Sequence, residues 1–162
     1  GVYPKPSLPF GETYSMGPLT RELFPYEYLF QCVNTHVLTA LPFNGDLGRD
    51  KGLLYDGLRE GRTWVGYDRL SPTSGFELRA RSGANEALIG GELVRTGAVV
   101  FEVRTPRTAD IRLIRNGDTV ARTKGRALTY TTAQAGIYRV EAYIRHRLAR
   151  RGWIFSSPIY VT

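Results

Sequence analysis

Two histidines, one cysteine and fifteen carboxylates are the side chains from which a catalytic or metal site in this 162-residue chain would be built. A metal hydrolase needs several His, Asp or Glu ligands converging on one ion. His36 and His146 fall in segments of different periodicity and do not form such a set. His36 lies near the end of an expected helix, where an imidazolium suits the helix dipole or caps the last carbonyls. His146 sits in Arg145-His146-Arg147, an exposed setting rather than a chemical one. Cys32, beside Val33 in the same expected helix, reads as inert packing. As a lone cysteine it makes neither an internal disulfide nor a cysteine zinc cluster. Asp46, Asp50, Asp56 and Glu60 share a second expected helix, but their spacing spreads them around its surface instead of pairing them. No G-x-S-x-G elbow, P-loop or dinucleotide fingerprint occurs, and Gly90-Gly91 reads as a bend in a β connection. No catalytic residue, no metal ligand and no cofactor is therefore expected of the chain by itself.

What remains is electrostatic. Residues 1–74 hold 7 Lys and Arg against 8 Asp and Glu, a net of −1, whereas residues 75–162 hold 15 against 7, a net of +8. Only Lys124 among those later cations is a lysine. Arginine's planar fork suits phosphate and carboxylate recognition, although arginines scattered over the solvent faces of strands are also ordinary. Arg145, Arg147, Arg150 and Arg151, with Trp153 nearby, form a candidate anion- or partner-binding cluster. Residues 146–151 also join two expected strands, so a solvated hairpin tip accounts for the cluster as well, and nucleic acid is not the expected partner. Trp64 and Trp153, one in each half, read as core packing rather than as sugar platforms.

These residues need elements to position them. With 42% hydrophobic and 23% charged residues, the composition is that of a globular protein. No apolar run approaches the roughly 20 residues that span a membrane, so no membrane partner is expected. Residues 1–10 lack the apolar core of a secretory signal. Prolines at 4, 6, 9 and 18 make the first stretch an irregular lead-in. Pro25, Tyr26, Leu29, Phe30, Val33 and Val37 recur at helical spacing and predict a helix over Pro25 to Leu38. Asn44-Gly45-Asp46 supplies a turn and an N-cap, after which Leu47, Leu54 and Leu58 predict a second helix that Gly61 stops. Residues 62–67 read as a strand and 71–75 as a linker.

After Gly75 the period becomes two. Phe76 and Leu78, then Val99, Phe101 and Val103, then Tyr138, Val140, Ala142 and Ile144 alternate with polar residues. Asn116-Gly117 is a strong hairpin signal, and Trp153 to Val161 closes a series of roughly seven strands. Gly136-Ile137-Tyr138-Arg139-Val140 matches the G-x-Y-x-C of an immunoglobulin F strand, with Val140 at the cysteine position, and predicts a tyrosine corner. The expected fold class is mainly β: an immunoglobulin-like β-sandwich over residues 71–162, preceded over residues 1–70 by a short α/β segment of two helices and a strand.

Phe24-Pro25-Tyr26-Glu27-Tyr28-Leu29-Phe30, Val33-Asn34-Thr35-His36, Gly45-Asp46-Leu47, Gly61-Arg62-Thr63-Trp64-Val65 and Trp153-Ile154-Phe155-Ser156-Ser157-Pro158-Ile159-Tyr160-Val161 carry a resemblance. Together they resemble the C-terminal part of a PHP (polymerase and histidinol phosphatase) metallohydrolase of the CehA/McbA-like subgroup. The resemblance implies that residues 1–70 are the last elements of a distorted β/α barrel, followed by an immunoglobulin-like domain. It also implies a longer parent enzyme that hydrolyses phosphoester or related bonds with bound divalent metals. The family's H-x-H, middle His and Glu ligands and D-x-H motif have no counterpart in this chain and would lie upstream of Gly1. The missing barrel is then the expected partner. A free-standing module that binds a polyanion or glycan through its arginines is the alternative, and a homo-oligomer formed through an edge strand is a further one.

Overall fold

Alternation and turn chemistry lay down most of the strands. The computed structural model describes residues 13–16, 19–22, 30 and 32–162. In chain order the elements are β1 (Thr13–Met16), β2 (Leu19–Glu22), β3 (Asn34–Val37), α1 (Leu47–Arg59), β4 (Thr63–Gly66), β5 (Glu77–Ser82), β6 (Asn85–Leu88) and β7 (Glu92–Leu93). They continue with β8 (Val99–Arg115), β9 (Asp118–Thr132), β10 (Gly136–His146), β11 (Ala149–Ser156) and β12 (Ile159–Val161). β1 and β2 form a separate antiparallel pair. The other strands form one curled, sandwich-like sheet in the order β3-β4-β11-β10-β8-β5-β6, with β9 on β8 and β12 bridging β10 and β7. Among the described strands every pairing is antiparallel except that of β12 with β7.

The long β8 carries the curl. Its first half pairs with β5, Glu77 opposite Arg104 and Arg81 opposite Val100. Its second half pairs with β10, Arg115 opposite Tyr138 and Asp110 opposite Tyr143. Between them the register with β9 shifts from Arg104 to Ala109, a stretch that includes Pro106, which has no amide proton to donate to a ladder. A strand that bends in this way changes layers and folds its two halves toward each other. The inward residues Phe101, Val103, Ile111, Leu113, Val140, Ala142, Trp153 and Ile159 form one core.

Asn116 and Gly117 adopt φ of 50° and 102°, both positive as a two-residue hairpin of this type needs, and Arg115 pairs with Asp118 across the turn. α1 begins at Asp46, whose Oδ1 accepts from the Arg49 amide at 2.8 Å, and ends before Gly61, which has φ of 66°. Tyr138 is buried, and its hydroxyl donates to the Gln134 carbonyl at 2.8 Å while its ring packs 4.3 Å from that of Phe101. The tyrosine corner is thus formed, with buried Val140 two residues on. Removing only the hydroxyl, Tyr138→Phe, is expected to lower unfolding free energy by about 1 kcal/mol. A denaturant midpoint unchanged from the parent would show that this bond contributes nothing.

The helix expected over Pro25 to Leu38 is overturned in its second half. Asn34–Val37 is a strand, paired antiparallel with β4 so that Asn34 faces Gly66 and Val37 faces Thr63. Pro25 to Leu29 lie outside the described residues. The cause is tertiary: in an extended chain Asn34 and His36 share one face, and both side chains bond Asp68. His36 is therefore not a helix cap, and Cys32 falls in a turn, half-buried. The sheet also runs across the expected boundary at residues 70 and 71, because β4 pairs with β11, Trp64 opposite Ser156 and Gly66 opposite Ile154.

Candidate functional site

Two clusters concentrate polar side chains. The first surrounds Asp68, in the loop after β4. Its Oδ2 accepts from Asn34 Nδ2 at 2.8 Å and lies 2.7 Å from His36 Nε2, and its Oδ1 accepts from the Thr73 amide at 2.8 Å and hydroxyl at 2.7 Å. The Thr73 hydroxyl has a single proton and gives it to Asp68, so its 2.9 Å contact with His36 Nε2 requires that nitrogen to be the donor. His36 thus carries a proton on Nε2 shared between Asp68 and Thr73. Its ring stacks on Trp64 at 4.9 Å with 5° between planes. Burial pushes the Asp68 carboxyl up, but hydrogen bonds from the Asn34, Thr73 and His36 side chains and the Thr73 amide outweigh it and hold the group at about 2.

This His, Asp and Thr set has the composition of a nucleophilic triad without its geometry. Thr73 is completely buried, and its hydroxyl is committed to Asp68. No surface remains at which a substrate carbonyl or phosphoryl group would meet it. The cluster is a clasp that fastens β3, β4 and the 67–76 loop together.

The second cluster lies on the outer face of β9, β8, β10 and β11. The register puts Asp110 opposite both Lys124 and Tyr143, Arg112 opposite Arg122, and Arg145 opposite Arg150. All of these but Arg112 wall an open cleft of about 780 Å³, lined by Arg107, Asp110, Arg122, Lys124, Tyr143, Arg145, Leu148 and Arg150 among others. Among the described residues Asp110 is its only lining carboxylate. Arg122 grips it with two hydrogen bonds of 2.7 and 2.9 Å, while Arg150 and Arg112 approach at 3.4 and 3.8 Å. The bonds from Arg122 hold the Asp110 carboxyl below its ordinary value, against a smaller effect of burial and with help from the charges of Arg122, Arg150 and Arg112.

Tyr143 forms an aromatic wall of the cleft. The Arg150 guanidinium lies 3.9 Å over its ring and that of Arg112 lies 5.2 Å away. The Tyr143 hydroxyl donates to Glu141 at 2.7 Å, and this bond, more than burial and the Glu141 charge, raises its pKa. Arg112 Nε is buried without a hydrogen-bond partner among the described residues.

The four arginines singled out from sequence separate here. Arg145 and Arg150 line the cleft. Arg147, with φ of 54°, occupies the turn between β10 and β11, and Arg151 lies opposite Ile144, on the other face of that hairpin from Arg145 and Arg150. No local pattern joins Arg107, Arg122, Lys124, Asp110 and Tyr143 in the sequence; only the excess of +8 over residues 75–162 points toward them. His146 is exposed at the end of β10.

The helix carboxylates are used structurally: Asp46 caps α1, Asp50 accepts from the Asn44 and Gly45 amides, Asp56 pairs with Arg59 and Glu60 with Arg62. Among the described residues no three His, Cys, Asp or Glu side chains converge as metal ligands. Among them, too, no helix is long and apolar enough to cross a membrane. No family model, no curated protein and no solved structure matches the chain.

Proposed function

We propose that this chain is the non-catalytic, immunoglobulin-like end of a PHP-type metal-dependent hydrolase and that it docks on the catalytic barrel through α1. The observation that carries this reading is the two-sidedness of that helix. Its inner side, around Leu53 and Gly57, rests on its own sheet so closely that a Cβ on Gly57 would come within 2.5 Å of Val37. A second side carries Leu47, Leu54, Tyr55 and Leu58, spaced to form one stripe. These residues are 82%, 38%, 52% and 44% exposed, and Phe43 extends the stripe with 58% exposed. A helix with one face on its own sheet and a second apolar face uncovered has the form of an element between two domains.

Three of the segments that carry the resemblance, at residues 33–36, 61–65 and 153–161, support the same reading by lying side by side. β3, β4 and β11 are sheet neighbours. Ser157, from the Trp153-to-Val161 segment, donates its amide to the Thr63 carbonyl at 2.9 Å, and the two hydroxyls meet at 2.8 Å. Residues distant in sequence thus build one unit beside α1. The barrel would supply the divalent metals and the hydrolytic chemistry, and this chain would supply the support.

The test extends the chain upstream of Gly1 through its coding sequence. The extended protein is expected to hydrolyse a phosphoester with added divalent metal and to lose that activity on chelation, whereas residues 1–162 alone do not turn it over. Leu54→Glu with Leu58→Glu is expected to split the extended protein's single thermal transition into two. Turnover by residues 1–162, an extended protein without metal-dependent hydrolysis, or one transition in the double variant would each overturn the reading.

A further inference from the structure

We propose that the cleft between the β8–β9 and β10–β11 ribbons binds a small ligand bearing two or more linked phosphate groups. Its five cations, Arg107, Arg122, Lys124, Arg145 and Arg150, face one lining carboxylate, Asp110. Asp110 already engages Arg122 and Arg150. Arg107, Lys124 and Arg145 have no carboxylate partner among the described residues, and all three are exposed. The cleft therefore holds a positive potential that nothing in the described chain neutralises, and a concave wall of low dielectric focuses it.

A generally arginine-rich surface does not account for this. On the face formed by β5, β6 and the first half of β8, arginines and glutamates interleave and pair off: Arg79 with Glu77 and Glu86, and Arg81 with Glu86 and Glu102. The same chain thus balances its arginines on one face and leaves them unbalanced on the other. Arg145 directly opposite Arg150 is a cross-strand like-charge pair, an arrangement that costs stability. An anion bound between them would turn that repulsion into attraction.

Shape and chemistry narrow the ligand. A cleft of about 780 Å³ is of the size that takes small molecules. Guanidinium forks bind phosphate oxygens in pairs, and the spread of Arg107 and Lys124 on one wall and Arg145 and Arg150 on the other suits linked phosphates better than a single one. Tyr143, braced by Arg150, offers an aromatic surface to an organic portion of the ligand.

Inorganic tripolyphosphate is the probe, titrated calorimetrically into the chain. It is expected to bind at one site with an affinity that falls as salt rises. Arg107→Ala and Arg145→Ala should each weaken binding about tenfold, as loss of a charge-assisted phosphate contact does. Arg79→Ala, on the balanced face, should leave affinity unchanged, and Asp110→Asn should tighten it by removing the competing carboxylate. Lys124→Ala repeats the test on a second strand of the Arg107 wall, and unchanged thermal transitions show that the variants fold. No binding of tripolyphosphate, or equal weakening by Arg79→Ala, overturns the proposal. Capture by anionic vesicles or a DNA duplex that tripolyphosphate does not compete away overturns it in favour of a membrane or nucleic-acid surface. Because the proposal does not depend on the barrel, its failure leaves the docking of α1 untouched.

Discussion

Asp68→Ala is expected to cost the protein about 3 kcal/mol of unfolding free energy, since a charged acceptor and its hydrogen bonds disappear together. Asn34 Nδ2, the Thr73 hydroxyl and the Thr73 amide lose their acceptor at once, and His36 Nε2 loses one of its two, keeping the Thr73 hydroxyl oxygen. Thr73 is completely buried, so water does not replace what it loses. Acid should act in the same direction. Because the folded carboxyl titrates at about 2, below its ordinary 3.8, its contribution is complete above roughly pH 4 and is lost as pH falls through 2. The depression corresponds to about 2 kcal/mol. The parent protein should therefore lose more stability than Asp68→Asn between pH 4 and 2, when both are unfolded in urea. Parallel pH profiles, or a loss below about 1 kcal/mol in Asp68→Ala, would mean that the clasp does not hold β3 to the 67–76 loop.

What the sequence made legible was local. Asn116-Gly117 specifies its hairpin because both residues tolerate positive φ, and Tyr138 finds its corner because its acceptor, the Gln134 carbonyl, is four residues away. Asp46 and Gly61 mark the ends of α1 through groups within one turn of each end. β3 was illegible because its partners are remote: β4 and Asp68 supply the pairing and the hydrogen bonds that override the helical spacing of Val33 and Val37. The strand expected over Val99 to Val103 and the one that leads into the Asn116-Gly117 hairpin are one bent strand, β8, a continuity that alternation before Pro106 does not reveal.

The basic cleft was half legible for the same reason. Arg145 and Arg150 lie on one hairpin and are adjacent by register, so their cluster was visible as a run of cations. Arg122 and Lys124 reach the cleft through the register of β9 on β8, and Asp110 through the register of β8 on β10. Register is set by the whole sheet, and a single sequence does not contain it in readable form. α1 shows the converse. Its apolar spacing made the helix legible, yet the chain turns a different side of that helix onto its own sheet.

Trp153→Ala is expected to cost about 4 kcal/mol, the largest effect of any single substitution considered, because it combines a cavity with an orphaned carbonyl. Trp153 is fully buried, and its indole Nε1 donates to the Ser71 carbonyl at 2.7 Å, which fastens the 67–76 loop to β11. Its position depends on a bulge. Ala142 faces Ile154 while Tyr143 faces Gly152, so Trp153 is the extra residue and both it and Ile154 turn inward. The bulge also returns Phe155 to the outer face, where its ring meets that of Tyr143 edge-on at 5.9 Å. Core and cleft are thus joined through one irregularity in β11. Trp153→Phe, which fills most of the space but donates no proton, should cost about 2 kcal/mol. Equal losses for alanine and phenylalanine in urea unfolding would place the whole effect in the hydrogen bond to Ser71 and none in the packing. A loss below about 1 kcal/mol for alanine would show that the bulge does not aim Trp153 into the core.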